Sequence, residues 1–311
     1  MRATTQTANV SQHPKTLTEK QFNLLRLLAT SQKTYSQRQL QHELNYSLGT
    51  INKLIKDLTA QSLIKANKIT DKGLETLEPY RAKRAIFVAA GFGSRLMPVT
   101  LTTPKPMVKV NGHRIIETLI DACIAADIEE IYIVRGYLAE CFNELLKKYP
   151  MIKFIENTSY KEANNIGSVV AASNLLQNTY ILEADLLVSN PTIITKYHCT
   201  SDVLGIWKER TDDWVLNVDK NGFVREETIG GINTYQMVGI YYLNSEDGTK
   251  LSHHIKEAYA APGGKERYWE TVINQTYRGQ YRIKLRPCQQ EDIVEIDTIR
   301  ELKAIDKSYD V

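Results

Sequence analysis

Cysteine is scarce in this chain. Cys123, Cys141, Cys199 and Cys288 are the only four in 311 residues, and no two form a Cys-x-x-Cys pair. That spacing argues against a disulfide framework and against a zinc site, and it fits free thiols in a cytoplasmic protein. No apolar run approaches the ~20 residues a bilayer span requires. The polar stretch holding Thr4, Thr5, Gln6 and Thr7 has no apolar signal core. No membrane partner is expected. With 42% hydrophobic and 24% charged residues, the composition excludes a disordered chain, and 311 residues leave room for two domains.

The charge is unevenly placed. Residues 1–84 hold 14 Lys and Arg against 6 Asp and Glu, a balance of +8, whereas residues 85–311 hold 25 against 30, a balance of −5. A basic front on an acidic body points to different partners for the two parts, although a solvated basic face has the same composition.

Residues 1–17 lack periodicity and read as a flexible tail. Beyond them, Phe22, Leu24, Leu25, Leu27 and Leu28 give Glu19 to Thr30 a broad apolar stripe. Ser36 is placed to cap a short helix from Gln37 to Leu44, and Ser47 to cap a third helix reaching about Gln61. A small hairpin around Asn67-Lys68 and a helix over Leu74 to Tyr80 complete the segment. This order over residues 18–80, with its Ile-Thr-Asp-Lys-Gly-Leu ending, resembles the winged helix-turn-helix domains of bacterial regulators. The resemblance implies that the third helix enters the major groove of duplex DNA. Ser47, Thr50, Asn52, Lys53 and Lys56 would then face the nucleic acid, with Lys65 and Lys68 on the wing near phosphates. Protein binding or dimerisation is the competing use, and a homodimer is left open.

Residues 81–84 read as a linker. From Ala85 onward strands and helices alternate: strands at 85–89, 130–135, 152–156, 179–184, 203–207, 236–242 and 281–286, and helices at 114–127, 138–148, 167–176, 247–260, 268–278 and 298–307. Such alternation predicts an α/β sheet for residues 85–311, with ligands at the carboxyl ends of its strands.

At the end of the first of these strands stands Ala89-Ala90-Gly91-Phe92-Gly93-Ser94-Arg95, with Lys105 between Pro104 and Pro106. Glycines let backbone N–H groups approach a polyphosphate, and Arg95 and Lys105 bring matching charge. A Walker A loop would require Gly-Lys-Ser/Thr at its end, and a dinucleotide fingerprint would require a third glycine where Leu96 stands. What remains, Gly-x-Gly-Ser/Thr-Arg followed by Lys-Pro, resembles the loop of nucleotidyltransferases.

Joining two anions calls for a divalent cation and hence carboxylates. Asp185 closes the apolar run Tyr180-Ile181-Leu182-Glu183-Ala184, and Asp297 follows Val294-Glu295-Ile296. The bland alternatives are a turn residue for Asp185 and a helix N-cap for Asp297. Glu183 is a candidate supporting residue.

Residues 84–308 resemble the bacterial choline-phosphate cytidylyltransferases, through Asn157-Thr158-Ser159-Tyr160, Asn164-Asn165-Ile166-Gly167-Ser168, Asp213-Trp214, Tyr268-Trp269-Glu270 and Glu295-Ile296-Asp297. The resemblance implies a Rossmann-like mixed-sheet nucleotidyltransferase domain, making CDP-choline and pyrophosphate from CTP and phosphocholine with Mg2+. By that resemblance the loop residues Ala89, Ala90, Gly91, Gly93 and Ser94 with Asn164, Asn165 and Ser168 would hold the nucleotide. Arg95 and Lys105 would grip its phosphates, and Asp185 and Asp297 would bind the metal. Trp214, Tyr268 and Trp269 would form an aromatic cage for the quaternary ammonium, with Tyr241 in reserve and Glu270 or Asp213 as counter-charge. Gly167 leaves room for a different acceptor. An aminoalkyl phosphonate or a sugar phosphate therefore stays open, as does a transcription regulator that senses a nucleotide.

Overall fold

A computed structural model describes residues 17–31 and 33–310 of the chain; all of the expected tail but Leu17 lies outside them. The described residues divide into two compact units, the first ending at Pro79 and the second starting at Tyr80.

The first unit runs α1 (Glu19–Thr30), α2 (Gln37–Leu44), α3 (Leu48–Ala60), β1 (Ile64–Lys65), β2 (Lys68–Ile69) and α4 (Asp71–Leu77). Its helix starts are written in side chains. Thr18 and Ser36 each form a reciprocal capping box, with Gln21 and Gln39, and the Ser47 hydroxyl accepts the Thr50 N–H at 3.2 Å. Phe22, Leu24, Leu25, Leu40, Ile51, Leu54 and Leu58 form the core between the helices. Helix α4 starts at Asp71, earlier than expected, because the Thr70 hydroxyl accepts the Gly73 N–H at 3.1 Å. Gly73 is compelled there: a Cβ would lie 2.3 Å from the Leu63 carbonyl oxygen.

The second unit continues with β3 (Arg84–Ala89), β4 (Lys109–Val110), β5 (His113–Arg114), α5 (Ile115–Ala125), β6 (Glu130–Arg135), β7 (Lys153–Glu156), α6 (Ile166–Ala171), β8 (Thr179–Glu183) and β9 (Leu186–Val188). After these come β10 (Asp202–Val218), β11 (Val224–Leu243), α7 (Ser245–Ala260), β12 (Lys284–Cys288), β13 (Ile293–Glu295) and α8 (Ile299–Ile305). Seven strands form one mixed sheet in the order β12-β10-β11-β8-β3-β6-β7. Strand β3 runs parallel to β6 and β8, and β11 runs antiparallel to β8. Its side chains alternate as a pleat dictates. Ala85, Phe87 and Ala89 enter the apolar layer shared with α5, while Ile86 and Val88 enter the layer shared with α6 and α7.

Several expected elements change length. Strands expected to end at 207 and to begin at 236 extend to Val218 and back to Val224, forming a long antiparallel hairpin. The helix expected over 268–278 is one π-type turn, Val272–Thr276, and 138–148 is a run of 3-10 turns, Ala139–Lys147. Among the described residues, no helix is long and apolar enough to cross a membrane.

Candidate active site

Parallel pairing of β3 with β8 fixes the site. Val88 lies opposite Glu183, so the glycine loop after β3 and the acidic step after β8 leave the sheet side by side. The third contribution comes from β13, which pairs with β9 through Glu295 opposite Leu186. The Ile296 N–H donates to the Asp185 carbonyl at 3.4 Å, and Asp297 arrives next to Asp185.

The result is a cleft of about 370 Å3. Ala89, Ala90, Gly91, Gly93, Ser94, Arg95 and Lys105 line one side. Asn164, Asn165, Ser168, Glu183, Asp185, Tyr268 and Asp297 line the rest. Gly93 takes a left-handed φ of +60°, and a Cβ on it would sit 2.9 Å from the Lys105 Cβ. A glycine is required for the loop to fold over the lysine. The Thr100 hydroxyl donates to the Gly93 carbonyl at 2.9 Å and holds the loop in place.

Lys105 is the electrostatic centre. Its Nζ lies 2.6 Å from Asp185 Oδ2 and 2.6 Å from Asp297 Oδ1, and the residue is only 7% exposed. Burial alone would lower its affinity for a proton. The charges and hydrogen bonds of Asp185 and Asp297 outweigh that and hold the ammonium above its ordinary range. Arg95, two-thirds exposed, reaches Asp297 Oδ2 at 2.7 Å. Burial would raise the Asp297 carboxyl, but Lys105 and then Arg95 keep it below the usual range.

A third carboxylate joins them. Oxygens of Asp185, Glu295 and Asp297 lie within 4.8 Å of one another. Desolvation, then the charges of Asp185 and Asp297, push Glu295 up to about 8. Asp185 Oδ1 is buried without a hydrogen-bond partner. Clustered carboxylates with an unsatisfied buried oxygen suit a hard divalent cation. Sequence reasoning left Glu295 out of the ligand set, although its signal was there: Glu183-x-Asp185 and Glu295-x-Asp297 are two acidic pairs at strand spacing.

The acceptor side departs from expectation. Trp269 and Tyr241 are fully buried, packed ring to ring at 4.9 Å within the apolar layer under α7. Neither can close a cage around a cation in the cleft. Tyr268 is 47% exposed and faces the cleft, with Trp214 tilted against it at 6.1 Å. The Gly167 space is also filled: a Cβ there would meet Ser159 Oγ at 3.0 Å and Ala163 Cβ at 3.2 Å, so it offers no room to an acceptor. Glu183 lines the cleft beside Tyr268, and the buried Glu270 lies behind it. Desolvation, followed by the charges of Glu270 and Asp185, raises Glu183 well above its normal range. Desolvation pushes Glu270 up to about 7. Gly239, at φ +77°, makes room for the first of them: a Cβ would lie 2.8 Å from Glu183 Cγ.

The residues expected to read the base are busy. Asn165 Nδ2 lies 3.1 Å from Glu183 Oε1 and 3.3 Å from Glu270 Oε2, and its Oδ1 accepts the Trp269 N–H at 2.8 Å. Asn164 Nδ2 donates to the Glu266 carbonyl at 3.3 Å, and Ser168 Oγ accepts from Asn157 Nδ2 at 3.1 Å.

With this geometry in view, likeness to known proteins becomes informative. The nucleotidyl transferase family profile matches residues 84–202. A 2-aminoethylphosphonate cytidylyltransferase of Lancefieldella rimae is 38% identical over 228 residues, covering 72% of this chain and 92% of the relative. The chain belongs to the nucleotidyl transferase family. Within that family it is an enzyme of cytidylyltransferase type. A choline-phosphate cytidylyltransferase of Haemophilus influenzae is 30% identical, over 69% of this chain and 92% of that protein. The solved CTP:phosphocholine cytidylyltransferase of Streptococcus pneumoniae superposes with a TM-score of 0.67 at 25% identity, covering 73% of this chain and 99% of that one. The mixed seven-stranded sheet is therefore the nucleotidyltransferase fold, and a helical segment, α1 to α4, precedes it.

Proposed function

We propose that this nucleotidyltransferase transfers a cytidylyl group from CTP to an aminoalkyl phosphonate of the 2-aminoethylphosphonate type, releasing pyrophosphate. The observation that carries the acceptor is that Trp269 and Tyr241 are withdrawn into the core while the Glu183 carboxyl, tied through Asn165 to Glu270, lines the cleft. A primary ammonium has N–H donors for such oxygens, whereas a quaternary ammonium has none and depends on aromatic faces. The 38% identity to the Lancefieldella enzyme supports the same acceptor over phosphocholine.

Asp185, Asp297 and Glu295 are the residues that would hold Mg2+. Bound there, the metal would offset the negative charge of the triphosphate and of the departing pyrophosphate. Backbone N–H groups of the loop after Ala89 face the phosphates, Arg95 reaches toward the β and γ groups, and Lys105 neutralises charge at the α-phosphorus. A phosphonate oxygen of the acceptor attacks that phosphorus in line; its new P–O bond forms as the bond to pyrophosphate breaks. Phosphate monoesters lose their second proton near pH ~6, and a phosphonate of similar acidity already presents an anionic oxygen. No side chain has to remove a proton. Release of pyrophosphate from CTP, Mg2+ and 2-aminoethylphosphonate tests the reading, and no release with that acceptor overturns it.

A second reading concerns the first unit. The outer face of α3 exposes Asn52, Lys53 and Lys56, and the β1–β2 hairpin exposes Lys65 and Lys68. Basic residues on a helix and an adjacent wing suit the phosphates of duplex DNA. Ser47 and Thr50 are tied to each other at 2.9 Å at the helix start and serve the cap first. We therefore propose a DNA-binding arm on an enzyme. Anisotropy of a labelled random duplex, titrated with the full chain at increasing salt, tests it. Binding that weakens steeply with salt and is lost in Lys53→Glu/Lys56→Glu supports the arm; no binding at low salt refutes it.

A further inference from the structure

The Asn164-Asn165 step joins two segments that are far apart in sequence. The Asn164 backbone N–H donates to the Lys265 carbonyl at 2.7 Å, and Asn164 Oδ1 accepts the Asn165 N–H at 2.8 Å. Asn165 then spends both donors and one lone pair of its amide on the protein. Its nitrogen faces Glu183 at the end of β8 and Glu270 beyond α7, while its oxygen takes the Trp269 N–H. An amide that reads a base must keep a donor and an acceptor edge open to it. This one has both donors and one of its oxygen's two lone pairs committed to the protein.

We infer that Asn165 is a positioning residue for the acceptor: it clamps Glu183 and Glu270 side by side as the carboxyl seat of the acceptor's ammonium, and so governs acceptor choice rather than nucleotide choice. The inference rests on the aminoalkyl reading above. Asn165 Nδ2 lies against both carboxyl groups and fixes where they stand relative to each other. The Glu183 stem is backed by Gly239, and Glu270 is 4% exposed next to the buried Trp269. Asn165 Nδ2 is the group between them. With it in place, an ammonium entering from the cleft side meets Glu183, which lines the cleft, while Glu270 stands behind it, joined to it through the amide.

The test is a kinetic split. Purified Asn165→Ala and Asn165→Ser are assayed with Mg2+ by pyrophosphate release, varying CTP and acceptor separately. The acceptors are 2-aminoethylphosphonate and ethylphosphonate, which lacks the amine. Loss of the two hydrogen bonds from Asn165 Nδ2 predicts a roughly ten- to hundredfold rise in KM for 2-aminoethylphosphonate in Asn165→Ala. The KM for CTP stays within about twofold, and discrimination between the two acceptors collapses. Asn165→Ser keeps a hydroxyl donor and recovers part of the discrimination; it also serves as the readout should the alanine variant fail to fold. A rise confined to the CTP KM, with acceptor discrimination intact, overturns the inference and returns Asn165 to the base. Failure of the wild-type enzyme to prefer the amine-bearing acceptor is a separate result, and it overturns the aminoalkyl reading itself.

Discussion

Replacing Lys105 with methionine removes the cation between two carboxylates while keeping most of the side chain's volume. In the wild-type protein its Nζ touches Asp185 and Asp297 at 2.6 Å each. In the variant, the Asp185 and Asp297 carboxylates, with the Glu295 carboxyl in the same 4.8 Å cluster, are left with the exposed Arg95. Like charges about 4 Å apart repel by about 4 kcal/mol at an effective dielectric of 20. Stranding one side of a buried pair costs about 3–5 kcal/mol. Two consequences follow. Without divalent cation the variant loses roughly 3 kcal/mol, a fall of about 6–12 °C in Tm at about 2–4 °C per kcal/mol for a unit of this size. Added Mg2+ restores much of that, because an ion can take the place of the ammonium, so the variant gains more from metal than the wild type does. Turnover does not return with it. A lost charge contact at the α-phosphate costs roughly 100- to 1000-fold in kcat. Thermal unfolding in EDTA and in Mg2+, paired with pyrophosphate release, measures both. A variant that melts like the wild type in EDTA and turns over at the wild-type rate refutes the charge network.

Gly93→Ala forces a side chain into a left-handed backbone and against the Lys105 Cβ; kcat falls more than Tm, read by the same paired assays. Trp269→Ala opens a cavity in the layer under α7, at a cost of about 3–5 kcal/mol. It lowers Tm, and a normal Tm with a selectively raised acceptor KM would put the indole back in the cleft. Glu270→Gln gives a pH-dependent stability change. The folded carboxyl is raised to about 7, so between its ordinary value and pH 7 the native state holds a proton that the unfolded chain releases. Wild-type stability therefore falls as pH rises through that window, and the advantage of the glutamine variant in Tm grows from pH 5 to pH 8. A constant difference across that range would show that Glu270 is not raised.

The legible parts of the sequence are those where one physical requirement dictates the residue. Gly93 has to be glycine, Ser36 and Ser47 have to be capping side chains, and the apolar alternation of β3 has to fill two layers, so each could be read directly. The hairpin of β10 and β11 hid its length because Glu209, Arg210, Asp212 and Asp213 on one strand, and Arg225, Ile229 and Ile232 on the other, are exposed. Only Val215, Leu216, Glu227 and Thr234 are buried in that extension, too few and too irregularly spaced to impress a period of two on its sequence. The acceptor side misled for a different reason. Tyr268, Trp269 and Glu270 are adjacent in sequence, yet the chain turns the tyrosine to the cleft and the tryptophan to the core. The nucleotide role of Asn165 came from resemblance alone; its contacts to Glu183 and Glu270 were not legible because those residues are 18 and 105 positions away in sequence.

The most direct measurement is an acceptor panel with the purified full chain, CTP and Mg2+, read by pyrophosphate release. The account predicts turnover of 2-aminoethylphosphonate with a kcat/KM well above those of phosphocholine, ethylphosphonate and a sugar 1-phosphate. A preference for phosphocholine would contradict the carboxylate seat, and release from none of them would contradict the proposed chemistry of the cleft.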